Sequence, residues 1–134
     1  MIIPYNRQHI DTSDIKLVNK VLKSNLITQG PNVGKFEKAI AKRVKSKYAV
    51  ASNSATSSLH LACMAIGLKK GDWLWTSPNS FVASSNCGLL CGAKIDFIDI
   101  NPRTYNLDVD RLEKKLVKAK KSKKLPKVVV PVHF

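Results

Sequence analysis

The chain has 134 residues, of which 44% are hydrophobic, and a formal net charge of +14. This length and hydrophobic content exclude a generally disordered chain and permit one domain with a modest core. No apolar run is long enough to span a membrane, and Met1 to Tyr5 lack the charged and apolar regions of a secretory signal. We therefore expect a cytoplasmic protein with no membrane partner.

The positive charge is concentrated near the end of the chain. Eight lysines lie between Lys114 and Lys127. They are typical of a solvated helix end, where lysines favour the negative end of the helix dipole, and the run lacks interleaved aromatic residues that could stack on bases. We therefore expect no nucleic-acid partner. A basic nucleic-acid-binding α/β domain remains the alternative.

Two helices are predicted in the first third of the chain. Thr12, Ser13 and Asp14 cap the first, and the Gly30-Pro31 pair ends it. Pro31 then begins the second, whose apolar stripe we expect to be buried. The apolar positions at helical spacing are Ile15, Val18, Val21 and Leu22 in the first helix and Val33, Phe36, Ile40 and Val44 in the second.

From residue 48 onward, strands and helices are predicted to alternate. The segment YAVAS (48–52) predicts a short buried strand, and ATSSLHLACMAIG predicts a helix that ends at Gly67. The pattern continues with a strand around Trp73 to Thr76, a helix in SFVASSNCGLLCG, a strand in AKIDFIDI, a helix in LDVDRLEKKLVKA and a strand in KVVVPVHF. Strands that are apolar on both faces indicate a largely parallel sheet flanked by helices, so the predicted fold class is α/β.

Parallel sheets place ligands beyond the carboxyl ends of their strands, and polar loops follow these ends here. The loops read SNSAT, TSPNSF, DINPRT and VHF. Ser54, Ala55 and Thr56 lie at a helix N-terminus, where unpaired N–H groups and the dipole bind phosphate. Alternatively, Ser52, Asn53 and Ser54 only cap this helix. No GxGxxG or GKS/GKT sequence indicates a dinucleotide or Walker site.

The cysteines and the last histidine support less specific interpretations. Cys63, Cys87 and Cys91 are odd in number and lie in apolar helical stretches, which favours buried structural thiols over disulfides. No nearby His, Asp or Glu completes a ligand set, so we expect no metal site. His133, at the end of the last strand, either lines a site or is a satisfied structural residue.

Four stretches together resemble a known family. YNRQHI…LITQGPNVGKFEKAIA, YAVASNSATSSLHLA, TSPNSFVASSN and DINPRTYNLDVDRLE occur in this order and spacing in the sugar-nucleotide aminotransferases related to DegT and DnrJ. These are pyridoxal-phosphate (PLP) enzymes of the aspartate aminotransferase fold. NSATS and SFVAS are typical of the subgroup that aminates a UDP-4-keto-6-deoxy-N-acetyl-altrosamine on the pseudaminic acid route. The resemblance covers essentially the whole chain.

The resemblance implies a domain organisation and residue roles. Residues 1–30 match an N-terminal helix and substrate-entrance segment, and residues 31–134 match the first part of the large PLP-binding domain, incomplete at its C-terminus. In the family, the loop at Ser54, Ala55 and Thr56 holds the cofactor phosphate. Phe81 matches the aromatic residue that stacks on the pyridine ring, although read alone it resembles a core anchor. The positions that match contacts to the sugar nucleotide are Tyr5, Asn25, Leu26, Ile27 and Thr28.

The resemblance also implies that the chain carries no catalytic residue. In the family, the lysine that bonds covalently to PLP and the aspartate that pairs with the pyridine nitrogen follow the stretch PVHF, and here the sequence stops at Phe134. We therefore expect the N-terminal third of a homodimeric enzyme that moves an amino group from glutamate to a keto-deoxysugar nucleotide in cell-surface glycan biosynthesis. The chain alone is expected to be inactive. A non-catalytic truncated remnant remains an alternative.

Overall fold

The computed structural model describes residues 3, 4 and 6–134. Its contacts divide the chain into an N-terminal unit, which ends at Ala51, and a C-terminal unit, which begins at Ser52. The functional boundary expected after residue 30 stays a prediction. The helices are α1 (Thr12–Leu22), α2 (Pro31–Arg43), α3 (Ala55–Ala65), α4 (Ala83–Leu90) and α5 (Val109–Lys121), and the strands are β1 (Trp73–Thr76), β2 (Lys94–Phe97) and β3 (Val128–Val130).

Helix α1 is capped one residue earlier than the sequence predicts. The Asp11 carboxylate accepts hydrogen bonds from the N–H groups of Ser13 (2.6 Å) and Asp14 (3.2 Å), and the Asp14 carboxylate accepts from Asp11 N–H (2.9 Å). This reciprocal capping box makes Asp11 the cap because its backbone is still extended. Helix α2 begins at Pro31 as predicted, since the first helical residue needs no N–H partner.

The predicted burial of the α2 stripe is wrong. Val33, Phe36, Ile40 and Val44 are between 40% and 62% exposed, and no described residue of α1 or α2 is buried. Helical spacing identifies the apolar side of a helix, whereas burial also requires a second surface. No part of the chain that the structure describes covers this stripe.

The predicted strand at residues 48–52 is also absent from the structure. Tyr48 and Val50 are 73% and 81% exposed. The Ser46 hydroxyl donates to Tyr48 O (2.7 Å), and Ala51 N–H donates to Glu37 Oε1 (2.8 Å). A strand requires a neighbour that completes its hydrogen-bond ladder. These backbone groups instead bond to side chains, so the prediction is wrong.

The C-terminal unit contains a parallel three-stranded sheet in the order β2-β1-β3. Leu74 in the central strand pairs with Ile95 on one side and Val128 on the other. Because β1 is covered on both faces, Leu74 is fully buried and Trp75 is 2% exposed. Helix α4 connects β1 to β2, and α5 connects β2 to β3. The predicted parallel α/β architecture is confirmed.

Successive β1 residues face two separate cores. Leu74 packs in one cluster with the buried thiols of Cys63 and Cys87, while Trp75 packs in the other with Ile98 and Ala119 of α5. Burial, with the neighbouring Cys87 thiol, raises the pKa of Cys63 to about 12. Cys63 and Cys87 are therefore buried packing groups, as predicted, whereas Cys91 is only half-buried. The raised pKa keeps the Cys63 thiol protonated at neutral pH.

Helix α4 approaches the sheet closely at Gly88. A Cβ atom at this position would lie 2.6 Å from Ile95 Cδ1 and 3.1 Å from Leu74 Cβ. A side chain at this position would force Ile95 and Leu74 to shift, so glycine allows the close approach of helix and strand. Gly67 ends α3, as predicted, with a φ of +70° that favours glycine.

Candidate functional site

Hydrogen bonds at the starts of the strands establish which way α3 runs. Lys127 N–H donates to Trp73 O (2.8 Å), which aligns the beginnings of β3 and β1. The Lys127 ammonium donates to Gly67 O (2.6 Å) just beyond the end of α3. The C-terminus of α3 therefore lies where the strands start. Leu59 and Cys63 of α3 pack in one cluster with Leu74 and with Val130 at the end of β3, so the helix runs along the sheet. Because a helix rises about 1.5 Å per residue, its N-terminus lies roughly 16 Å away, toward the carboxyl edge.

Helices α4 and α5 begin at this same carboxyl edge. Helix α4 starts soon after β1 ends at Thr76 and returns to the start of β2, where Lys94 N–H donates to Asp72 O (2.9 Å). Near the start of α5, Asp108 N–H donates to Asp99 O (3.1 Å), two residues beyond β2. Three helix N-termini, each with a partial positive charge, are thus directed to the edge where parallel sheets bind ligands.

The N-terminus of α3 is capped and still has unused donors. The Ser54 hydroxyl accepts from Ser57 N–H (3.1 Å), so the capping interpretation of Ser54 is confirmed. Among the described residues, no acceptor pairs with the N–H groups of Ala55 and Thr56. The first turn contains no acidic residue, and the side chains of Ala55 and Thr56 are exposed. This turn can bind an anion through two backbone N–H groups.

The N-terminus of α5 differs because it carries its own carboxylates. Asp108 accepts from Arg111 N–H (2.9 Å), Asp110 lies in the first turn, and Asp99 forms a 3.2 Å ion pair with Arg111. These negative charges already compensate the helix dipole. Electrostatics therefore favour the start of α3, rather than that of α5, as the place for an anionic group.

Phe81 lies between β1 and α4 and is 74% exposed. Its carbonyl accepts from Ser84 N–H (3.0 Å), and the Ser80 and Ser84 hydroxyls are 2.6 Å apart, which fixes the backbone around it. The interpretation of Phe81 as a core anchor is wrong, because the ring lies outside both cores. An exposed flat ring at this edge is suited to stack on another planar group.

Ser77 is a residue at this edge that the sequence does not reveal. It directly follows β1, is only 2% exposed, and its hydroxyl has no hydrogen-bond partner within the described part of the chain. Serine before proline is a common turn sequence, so only its position after a strand signals it. Burying a hydroxyl without a hydrogen-bond partner costs free energy. Ser77 therefore places an unsatisfied polar group directly beneath the carboxyl edge.

The loops after β2 and β3 complete the edge. Asn101 Oδ1 accepts from the N–H groups of Arg103 (2.9 Å) and Thr104 (3.3 Å), while Asn106 Oδ1 accepts from Phe134 N–H (2.9 Å). His133 is exposed, which contradicts its interpretation as a satisfied structural histidine. The polar loops after β1, β2 and β3 therefore lie at one edge, as predicted.

The segment expected to contact substrate lies in the N-terminal unit. Asn25, Leu26 and Ile27 line a groove of about 480 Å³ between the end of α1 and the start of α2, which also includes Lys20 and Lys35. Thr28 belongs to the same connection. Tyr5 lies outside the described residues. The substrate roles of these residues stay predictions.

Two further properties hold for residues 3, 4 and 6–134 as a whole. No helix in them is long and apolar enough to cross a membrane. Nor does this part of the chain bring together three or more His, Cys, Asp or Glu side chains in a way that could hold a metal ion.

Comparison with known proteins connects this geometry to one family. The sequence profile of the DegT/DnrJ/EryC1/StrS aminotransferase family matches residues 8–134. The chain is 44% identical over 117 residues to the UDP-4-amino-4,6-dideoxy-N-acetyl-beta-L-altrosamine transaminase of Campylobacter jejuni. That alignment covers 87% of the chain and 31% of the relative. The chain thus spans about a third of the length of the curated relatives it matches.

Solved structures agree with the sequence match. The Helicobacter pylori aminotransferase PseC, involved in the biosynthesis of pseudoaminic acid, superposes with a TM-score of 0.83 at 32% identity, over 96% of this chain and 33% of its own. NtdA of Bacillus subtilis, crystallised with the cofactor PMP, superposes with a TM-score of 0.77 at 28% identity, over 93% and 28% of the two chains. The predicted fold, the first part of an aspartate aminotransferase-like large domain, is confirmed.

Proposed function

Because this chain belongs to the DegT/DnrJ/EryC1/StrS aminotransferase family, we propose that it is the N-terminal part of a PLP-dependent sugar-nucleotide aminotransferase. The complete protein transfers an amino group from glutamate to the keto group of a UDP-activated deoxysugar. The names of the Campylobacter and Helicobacter relatives support the pseudaminic acid route as its setting. A cytoplasmic homodimer is part of the same proposal.

The start of α3 fits the phosphate of PLP. The unpaired N–H groups of Ala55 and Thr56 bind its oxygens, and the Thr56 hydroxyl adds a third donor. The lack of a carboxylate in this turn favours a dianion. When bound, PLP supplies the electron sink and carries the amino group between the two substrates. The observation that carries the proposal is this uncompensated helix N-terminus at the carboxyl edge.

Phe81 orients the cofactor in the proposal. Its exposed ring follows β1 at the same edge, and a flat apolar face holds a planar pyridine ring by stacking. Stacking restricts rotation of the pyridine plane, while the phosphate contacts restrict its translation. Phosphate binding and ring stacking are thus separate tasks of separate elements.

The groove beside α1 and α2 is the proposed place for part of the sugar nucleotide. Asn25 supplies hydrogen-bonding groups, and Leu26 with Ile27 supplies apolar surface. The ammonium groups of Lys20 and Lys35 attract the diphosphate. A groove of about 480 Å³ is large enough for a fragment of such a substrate.

The proposal is tested by placing a carboxylate where the phosphate is expected. We expect Thr56→Glu to weaken PLP retention at least tenfold in equilibrium dialysis of the full chain, because the added charge repels the dianion. An acidic residue in the first turn also favours the helix, so a loss of folding does not explain the result. Ser122→Glu, at the end of α5, is the control with the same charge change.

A second pair of variants separates stacking from phosphate binding. We expect Phe81→Ala to weaken PLP retention about three- to tenfold and to leave inorganic phosphate binding unchanged. Phe97→Ala, which removes another exposed ring, is the control and leaves both unchanged. Unaltered PLP retention in both Thr56→Glu and Phe81→Ala would refute the proposed site.

A further inference from the structure

One face of α5 is directed away from the core and becomes basic toward its end. Leu112, Leu116 and Ala119 pack on the sheet. With 3.6 residues per turn, Lys118 and Lys121 lie on the opposite face. The acidic residues of this helix occur only in its first half. The last two turns therefore present a surface with one sign of charge.

Six lysines form this surface and are named here the basic patch. All six are exposed. In the described part of the chain, none of the six takes part in an ion pair, whereas the neighbouring Lys115 and Lys127 pair with Asp96 (2.7 Å) and Asp72 (3.3 Å). The members of the basic patch are Lys114, Lys118, Lys120, Lys121, Lys123 and Lys124.

This concentration of charge opposes folding. Lys114 and Lys118 are four residues apart, and Lys118 and Lys121 are three apart, so their like charges repel along one helix face. The helix dipole compensates only part of this repulsion in the last turn. An external anionic surface would relieve the remaining repulsion between the lysines, so the basic patch favours an anionic partner.

Two exposed apolar residues lie among these lysines. Val117 is 55% exposed and lies on the same outer side of α5, and Leu125 is 48% exposed in the turn that follows. We propose that the basic patch, with Val117 and Leu125, docks the protein on an anionic membrane surface. Clusters of four to eight lysines on an amphipathic helix are suited to this contact. The inference is independent of the proposed enzymatic function.

The chemistry of the patch favours a membrane over a nucleic acid. All its cations are lysines, which act as point charges, and it contains neither arginine forks nor aromatic rings that stack on bases. Exposed valine and leucine side chains gain little from a phosphodiester backbone, whereas they can enter the boundary between lipid headgroups and acyl chains. This proposal departs from the expectation of no membrane partner, which rests on the lack of a spanning apolar run, because a peripheral contact needs no membrane-spanning helix.

Vesicle sedimentation tests the proposal with the full chain. We expect binding to phosphatidylcholine vesicles that contain half phosphatidylglycerol, no binding to pure phosphatidylcholine, and loss of binding in about 1 M salt, where the Debye length falls to about 3 Å. Replacing the six patch lysines by Gln is expected to weaken partitioning at least about a hundredfold. The control replaces six exposed lysines of the N-terminal unit by Gln, namely Lys16, Lys23, Lys38, Lys42, Lys45 and Lys47.

The control variant distinguishes vesicle binding by the basic patch from binding by the overall positive charge of the chain. If the control variant loses as much binding as the patch variant, or if the unaltered chain does not bind anionic vesicles, the proposal is wrong. Val117→Gln with Leu125→Gln is expected to weaken vesicle binding several-fold and to leave retention on duplex DNA unchanged. Tighter, patch-dependent binding to the duplex than to vesicles would instead assign the surface to nucleic acid.

Discussion

The N-terminal and C-terminal units differ in how apolar sequence is used. In the first, α1 and α2 carry clear apolar stripes at helical spacing, yet no described residue of either helix is buried. In the second, short strands and helices surround β1 and bury Leu74 and Trp75 completely or nearly so. Periodicity therefore identifies a face, whereas a sheet with helices on both sides creates a core.

The largest expected effect follows from removing a side chain at the centre of this core. Leu74→Ala leaves a cavity between the sheet and α4, and we expect it to lower the free energy of unfolding of the C-terminal unit by about 2–5 kcal/mol. Phe36→Ala removes a larger side chain from the exposed stripe of α2. We expect this substitution to change the free energy of unfolding of the N-terminal unit by less than about 0.5 kcal/mol. Urea unfolding monitored by the two tryptophans, both in β1, measures this difference.

Equal destabilisation by the two substitutions would contradict the contrast between the units. Trp73 and Trp75 report on the C-terminal unit, so circular dichroism of the helices is measured in parallel to detect changes in α2. An unchanged slope of free energy against urea would show that Leu74→Ala acts on stability and not on the surface exposed on unfolding.

Adding a methyl group at a helical glycine of each unit tests the same difference between a packed and an open helix face. In α4, a Cβ at Gly88 meets Ile95 and Leu74, and we expect Gly88→Ala to cost about 1–3 kcal/mol through overpacking. In α2, no atom lies within 4 Å of a Cβ at Gly34, so Gly34→Ala is expected to stabilise its helix by about 0.5–1 kcal/mol. Thermal melts of both variants should shift in opposite directions. A lower melting temperature for Gly34→Ala would mean that the open face of α2 is covered.

The sequence predicts the C-terminal unit well because its signals are local and consistent. Gly67 ends α3, a helix forms within LDVDRLEKKLVKA, and the apolar segment around Trp75 forms a strand between helices. Each depends on backbone chemistry within a few residues. The polar loops at the carboxyl edge follow from the alternation of strands and helices alone.

The failures concern interactions with partners distant in sequence. Residues 48–52 have the composition of a strand, yet a strand forms only where another strand offers its ladder. Phe81 resembles a core residue by type, whereas its exposure depends on where α4 begins. The unpaired N–H groups of Ala55 and Thr56 cannot be distinguished from satisfied ones in a sequence, because all helices begin with such donors. The family resemblance supplies what these residues alone do not.

The smallest expected effect is a difference in acid sensitivity between the units. Burial alone raises the pKa of Asp72, but hydrogen bonds from Lys69 N–H and the Lys127 ammonium, with the charges of both lysines, outweigh burial and hold the pKa below its ordinary value. Since the folded-state pKa is lowered, the stabilisation by this carboxylate is complete above about pH 4 and is lost as the pH falls through the folded-state pKa. Asp72→Asn is expected to flatten this part of the acid transition seen by tryptophan emission.

Asp11 in the N-terminal unit is the matched control. The Ser13 hydroxyl and the N–H groups of Ser13 and Asp14 bond to its carboxylate and lower its pKa as well. Asn also caps helices, so Asp11→Asn removes the charge while it keeps α1 capped. We expect this variant to change the acid dependence of the helical circular dichroism and to leave the tryptophan transition unchanged. A parallel change in tryptophan emission would show that the two units unfold together in acid, because a cap in one unit can alter the other only through cooperative unfolding.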